Sequence, residues 1–304
     1  MIAKTISPAR DRLQSRILVW VVMPILCTLS AIRSVGLLLH APRYQSLVIQ
    51  SLVISVCFAL FAWLLKAATP SAAACGGVIC LQLIYGTHVY MASVVRSALV
   101  PLIALFVLTF IATRAGRNKK DASGLTESPS GRTTSQVVAN LGFAALCAFP
   151  LSSIAVLLFW PNPNGRIDAV VTIICVSSAL AEAAADTVSS EIGQAFGGTP
   201  FMLTTLRHVE PGTDGAVSLK GSLAGIGTAA IIAAAGAPTF GMTIPACIVV
   251  FAAATAGLFF DSLLGATLER RGYLGNDLVN FASTAFAAAI SFPLAYVARS
   301  FLHI

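Results

Sequence analysis

The chain has 304 residues, 57% of them hydrophobic and 10% charged, with a mean hydropathy of +0.86. That composition excludes a soluble globular domain: apolar runs long enough for about 30 Å of hydrocarbon recur along the chain. Alternating segments of about ten residues, the mark of a barrel, are absent, and the net charge of +7 is not interleaved with aromatics as a nucleic-acid surface would be.

The fold class is therefore all-α, a polytopic helical membrane protein. Residues 1–16 read as a basic cytoplasmic tail, with Lys4, Arg10, Arg12 and Arg16 against Asp11. The first span is expected at 17–39. Its positive flank and apolar start resemble a signal peptide, but no small-x-small cleavage site follows, so a membrane helix is expected. Further spans are expected at 46–65, 72–94 and 98–113, completing a four-helix unit over 17–113 with little polarity beyond Gln82, Thr87 and His88. His88 near a helix end reads as a packed, hydrogen-bonded residue rather than a ligand.

Residues 114–135 form a Gly/Ser/Pro-rich basic loop with Arg114, Arg117, Lys119, Lys120 and Arg132. The positive-inside rule puts this loop and the tail on the cytoplasmic side, which requires an even number of spans between them; four satisfies it. Residues 136–304 form a five-helix core, with spans expected at 137–159, 169–185, 223–237, 243–260 and 278–297. WPNPNG after the first of these marks an outer turn. The total is about nine helices, with a cytoplasmic N-terminus. The seven cysteines are widely spaced in apolar segments, which fits small buried hydrophobes rather than a disulfide framework or a zinc site.

The longest polar break in the apolar second half is EAAADTVSSEIGQAFGGTPFMLTTLRHVEPGTDGAVSLKG, residues 182–221. Eight of the twelve acidic residues lie between Glu182 and Asp277, and this topology puts all eight at one face. Ionisable residues at span ends are functional candidates. Glu182 and Asp186 share a helix face with Ser189 and Ser190 beyond them. Like charges at that spacing repel unless a cation sits between them, and Mg2+ held by one or two carboxylates plus substrate phosphates fits. The plainer alternative is a helix end reaching water.

PGTDGAVS, residues 211–218, leads into a span with two glycines and two hydroxyls, which suits a phosphate cradle as well as an ordinary turn and cap. It is no Walker A loop, since Lys220 precedes Gly221. Arg207 and Lys220 are candidate phosphate neutralisers, and His208 has no assigned role. Asp261, Gly265 and Glu269 fall on one helix face, and Asn276, Asp277 and Asn280 open the last span.

At ADTVSSEIG (185–193), TTLRHVEPGTDGAVSLKG (204–221), DSLLGATLE (261–269), NDLVN (276–280) and GRTTSQVVAN (131–140), the sequence resembles the integral-membrane family of plant phytyl-phosphate kinase and animal transmembrane protein 19. That family is more distantly similar to dolichol kinase and membrane cytidylyltransferases. The resemblance covers about the C-terminal 170 residues; the first four spans match in hydropathy only. It implies Mg2+-dependent phosphoryl transfer from a nucleoside triphosphate, CTP first, to an isoprenyl monophosphate. Asp186, Glu191 and Asp261 would then be metal-side carboxylates, joining Glu182. Arg207, Thr213, Gly215 and Ser218 would surround phosphates, beside Asp214, Lys220, Asn276, Asp277 and Asn280 as further binding candidates read from the residues. Arg132, Gln136 and Asn140 would close the site from the loop side. Val188 and Ala216 depart from the family's usual tryptophan and glycine, which bears on substrate preference.

The implied substrate suits the topology. An isoprenyl chain of about twenty carbons, at about 0.8 kcal/mol per buried CH2, stays in the bilayer and offers only its head to the interface. The expected location is the cell membrane, with the site on the cytoplasmic face. A cytidylyltransferase releasing pyrophosphate is one alternative. A transporter is another, which would place charges near the midplane on broken helices. The sequence carries no signal for oligomeric state.

Overall fold

The structure, a computed structural model, describes residues 6–40, 44–88, 94–122, 124, 130–148 and 166–302, with the side chains of 40, 88, 122, 166–169 and 296–302 excepted. The second half of the span expected at 137–159, the WPNPNG turn and the His88 side chain lie outside the described residues.

The elements run α1 (Pro8–His40), α2 (Gln45–Leu64), α3 (Pro70–His88), α4 (Leu99–Arg114), the short α5 (Arg117–Ala122) and α6 (Thr134–Cys147). Then come α7 (Arg166–Phe196), strands β1 (Phe201–Met202) and β2 (Ala216–Val217), α8 (Leu219–Phe240), α9 (Ile244–Leu264) and α10 (Asn276–Leu302). Among the described residues, seven of these helices are long and apolar enough to cross a membrane and α4 and α6 are shorter apolar helices, so the expected count of about nine holds approximately.

The core forms around α7. Its spanning stretch is 89% buried, against 22% for α2 and 28% for α1, so α7 is the hub and the other two present apolar faces outward. α4, α6, α8, α9 and α10 all pack on it. Small residues make this possible. A Cβ on Gly221 or Gly225 of α8 would run into the α7 carbonyls of Ser189 or Ala185, so these two helices touch backbone to backbone.

Three features depart from expectation. The helix expected to stop at 185 runs on to Phe196, because Thr187, Ser189, Ser190 and Gln194 continue α7 along a polar cavity; hydropathy ended there but the helix did not. Glu182 and Asp186 therefore lie well inside a helix rather than at its inner end. The basic tail is no free segment, since α1 already begins at Pro8. It docks on the 272–277 turn: Gln14 Nε2 donates to the Tyr273 carbonyl at 2.9 Å, the Gly275 amide donates to Gln14 Oε1 at 2.8 Å, and Ser15 Oγ donates to Asp277 Oδ2 at 2.6 Å. Finally, Cys27 and Cys57 sit on exposed faces of α1 and α2, so not every cysteine is buried; all seven are free thiols.

Within the 182–221 stretch, residues 198–217 fold back as a small antiparallel flap, with Phe201 opposite Val217 and Met202 opposite Ala216. Met202 is the buried anchor of the flap, and Arg270 Nη1 reaches its sulfur at 3.6 Å. α9 ends in a π-helical turn, Gly265–Glu269, which shifts Glu269 from the α-helical register that the sequence suggests.

Candidate functional site

A polar cavity of about 240 Å³ opens among α6, α7, the start of α8, the end of α9 and the start of α10. Each wall is set by local chemistry. α6 starts with a capping box: the Gln136 amide donates to Thr133 Oγ1 and the Thr133 amide to Gln136 Oε1. This fixes Arg132 just outside the helix, where its amide donates to the Ala67 carbonyl and its carbonyl accepts from the Thr69 amide, both at 3.0 Å. The Arg132 guanidinium is the cation that faces Asp186. One turn beyond Gln136, Asn140 lines the cavity and donates its side-chain amide to the Gln136 carbonyl at 2.8 Å.

Opposite, Ser218 caps α8 by accepting from the Gly221 amide at 3.1 Å. The 211–215 loop lies against the π turn. Gly215 has φ +71°, and a Cβ there would collide with the Ala266 backbone and the Ser262 carbonyl, so only glycine fits. Thr213 donates its hydroxyl to the Glu210 carbonyl at 2.7 Å. Desolvation pushes the Asp214 carboxyl above its ordinary range, with Arg270 opposing.

The cavity thus gathers Asp186, Glu191, Asp261, Arg132, Gln136, Asn140, Thr213, Asp214, Gly215, Ser218, Asn276 and Asn280 from the sequence-derived set. Four other members stand elsewhere. Arg207 is exposed on the flap and Lys220 is exposed on α8. Neither lines the cavity, because the strand pairing of β1 with β2 and the cap at Ser218 turn them away. Asp277 accepts from Ser15 and holds α1 in place. Glu182 is fully buried among α7, Gly257 of α9 and Ala287 of α10, outside the cavity lining.

The four-carboxylate cage of Glu182, Asp186, Glu191 and Asp261 does not form. Glu191 is committed to Lys120 and to Thr113, whose hydroxyl donates at 3.3 Å. Among the described residues, no three His, Cys, Asp or Glu groups are placed to hold a metal ion. Of those four, Asp186 and Asp261 remain at the cavity without such an ion pair, and Asp214 and Glu269 also line it. Asp261 Oδ2 is buried with no hydrogen-bond partner among the described residues, as are both Glu182 oxygens. Ser283, whose hydroxyl is donated to the Asn280 carbonyl at 3.0 Å, stands beside both Glu182 and Asp261. A pair of hard oxygen donors, one orphaned, fits a divalent cation that takes its other ligands from phosphate and water.

Thr187, Gln194 and Ser262 line the cavity without having been marked in the sequence. Period-3.6 continuation of α7 past 185 would have found the first two. Lys120 had no such signal, being one lysine in a basic run.

The family model for integral membrane protein DUF92 matches residues 53–288. The chain belongs to the integral membrane protein DUF92 family. This match includes the cavity and all the motifs that carry the resemblance noted above. Uncharacterized membrane protein sll0875 of Synechocystis sp. is 33% identical over 222 residues, 71% of this chain and 80% of that protein. Uncharacterized membrane protein MJ0933 of Methanocaldococcus jannaschii is 34% identical over 196 residues, 63% of this chain and 74% of that one. Protein VTE6, chloroplastic, of Arabidopsis thaliana is 30% identical over 192 residues, 62% of this chain and 55% of the plant protein. No solved structure matches the chain.

Proposed function

We propose that this DUF92 protein transfers the terminal phosphoryl group of a nucleoside triphosphate, CTP first among candidates, to an isoprenyl monophosphate in the bilayer. An oxygen of the lipid phosphate attacks the terminal phosphorus, the bond to the nucleoside diphosphate breaks, and a lipid diphosphate results. The observation that carries this reading is the single cavity in which Asp186, Asp261, Arg132, Asn140 and the capped α8 N-terminus converge. Phosphoryl transfer is mostly positioning and charge neutralisation, and this set supplies both without a dedicated nucleophile.

Asp186 and Asp261 would hold Mg2+, which on binding offsets phosphate charge. Arg132 would contact the lipid phosphate, its backbone already fixed by two hydrogen bonds. The N-terminus of α8 behind Ser218 and the 211–215 loop would face the nucleotide's phosphates. The cytoplasmic face is the side where nucleotide is available, and the basic tail and loop favour it by the positive-inside rule.

Supplying purified protein with geranylgeranyl or phytyl monophosphate, Mg2+ and CTP tests this. Lipid diphosphate with CDP is expected. Pyrophosphate instead of CDP would assign a cytidylyltransferase, and no nucleotide consumption across chain lengths would remove the enzyme reading.

A further inference from the structure

A second cavity, of about 200 Å³, lies between α2, α3 and α4, with α6 and α7 as its floor. Its lining is predominantly apolar, with Ala72, Ala73 and Gly76 on α3 and Phe58 and Phe106 among it, and it also includes the cations Lys66, Arg114, Arg117 and Arg132. It shares Arg132, Asn140 and Thr187 with the polar cavity. An apolar chamber and an ion-lined one therefore meet at a wall that carries a guanidinium. α2 packs on α3 and α4 packs on α7, while α2 and α4 meet through rings, Phe58 and Phe61 against Phe106 at 5.5 and 6.1 Å between centroids. At the rim, Arg114 donates to the Leu65 carbonyl at 3.0 Å and lies over the Phe110 ring, tying the ends of the two helices together. Away from that tie, the outer surface of α2 is apolar and exposed.

We infer that this apolar cavity seats the first isoprenoid units of the lipid substrate, with the phosphate at Arg132 and the rest of the chain leaving between α2 and α4 into hydrocarbon. The inference rests on the lipid-phosphate reading above and adds where the tail goes. Shape and chemistry select the occupant. A lining that joins an apolar majority to Lys66, Arg114, Arg117 and Arg132 suits an amphiphile with an anionic head and a hydrocarbon tail better than a fully soluble metabolite. Size limits the segment: at about 200 Å³ the cavity takes part of a long chain and not all of it. The remainder needs a lateral exit, and side chains that can swing, rather than packed backbones, close the gap between α2 and α4.

The test uses the full chain in lipid nanodiscs and an isoprenyl monophosphate of about twenty carbons with a diazirine on its first unit. Photolabelling without nucleotide, followed by peptide mapping, should mark α2 and α4 around Phe58 and Phe106. Unlabelled isoprenyl monophosphate should compete the label away, and ordinary phosphatidyl lipid should not. Gly76→Phe fills the chamber, since a Cβ there meets only Phe58 at 3.9 Å. That variant should cut the labelling about tenfold, and should raise KM for the long monophosphate about tenfold more than for one of about five carbons. Ala73→Leu gives a second, milder filling if the first variant does not fold. Label scattered over the lipid-facing helix surfaces, unchanged by Gly76→Phe, or competed equally by bulk lipid, would overturn the tail seat. Specific labelling without turnover would keep the seat and remove the kinase reading; turnover without specific labelling would do the reverse.

Discussion

Lys120 and Glu191, 71 residues apart, form a buried ion pair that fastens α5 of the central loop to the hub helix α7. The ammonium is 1% exposed and also donates to the Thr113 carbonyl at 2.7 Å, so its charge is satisfied at the end of α4 as well. The helical part of the Gly/Ser/Pro-rich basic loop is thus clamped to α7. Removing one partner leaves a buried charge, so Lys120→Met should cost about 3–5 kcal/mol of stability, while Lys120→Met with Glu191→Met should recover most of it. Unfolding in detergent reads both. A loss under about 1 kcal/mol in the single variant would mean that the pair is solvated.

Gly215 is the contact between the 211–215 loop and the π turn. Gly215→Ala places a methyl group against the Ala266 backbone at a positive φ, so it should destabilise by about 1–3 kcal/mol and lower turnover more than tenfold. Gly227→Ala is the control: no atom lies near its Cβ, α8 continues through it, and a gain of about 0.5–1 kcal/mol is expected. Equal behaviour of the two variants would show that the loop is not pinned.

Gln14 bridges the Tyr273 carbonyl and the Gly275 amide, and no apolar residue can replace both bonds. Gln14→Leu should cost about 1–2 kcal/mol and make the 270–276 turn more accessible to limited proteolysis. An unchanged cleavage pattern would mean that α1 is not what orders this turn.

Arg207 and Lys220 test the boundary of the site from outside. Both are exposed and neither lines the cavity. Arg207→Gln and Lys220→Gln should each keep turnover within about threefold of the parent. A hundredfold loss in Arg207→Gln would mean that the flap closes over substrate and brings this cation in, and one in Lys220→Gln that the start of α8 turns toward substrate.

Helices, their number and the grouping of polar motifs were legible because hydropathy and lysine/arginine placement register the bilayer directly. Asp186 and Asp261 are grouped in the sequence by the family resemblance rather than by spacing, and both line the cavity. Depth was not legible. Glu182 differs from Asp186 by one turn, yet it faces Gly257 and Ala287 rather than the cavity, a fact set by helix packing. Local patterns also carried two uses at once. Thr133 and Gln136 form a capping box that positions Arg132, and Ser218 is both cap and wall. The Lys120–Glu191 pair and the α1 dock depend on long-range contacts that one sequence does not display.

The central claim is that Asp186 and Asp261 serve one phosphoryl-transfer cavity. The direct measurement is CTP-dependent formation of lipid diphosphate, in the presence of Mg2+, by the parent chain and by Asp186→Asn and Asp261→Asn, each shown to be folded in detergent. The account predicts product from the parent and a loss of about a hundredfold or more in each variant, a size ordinary for removing a group that offsets transition-state charge. Product from both variants at the parent rate would contradict it.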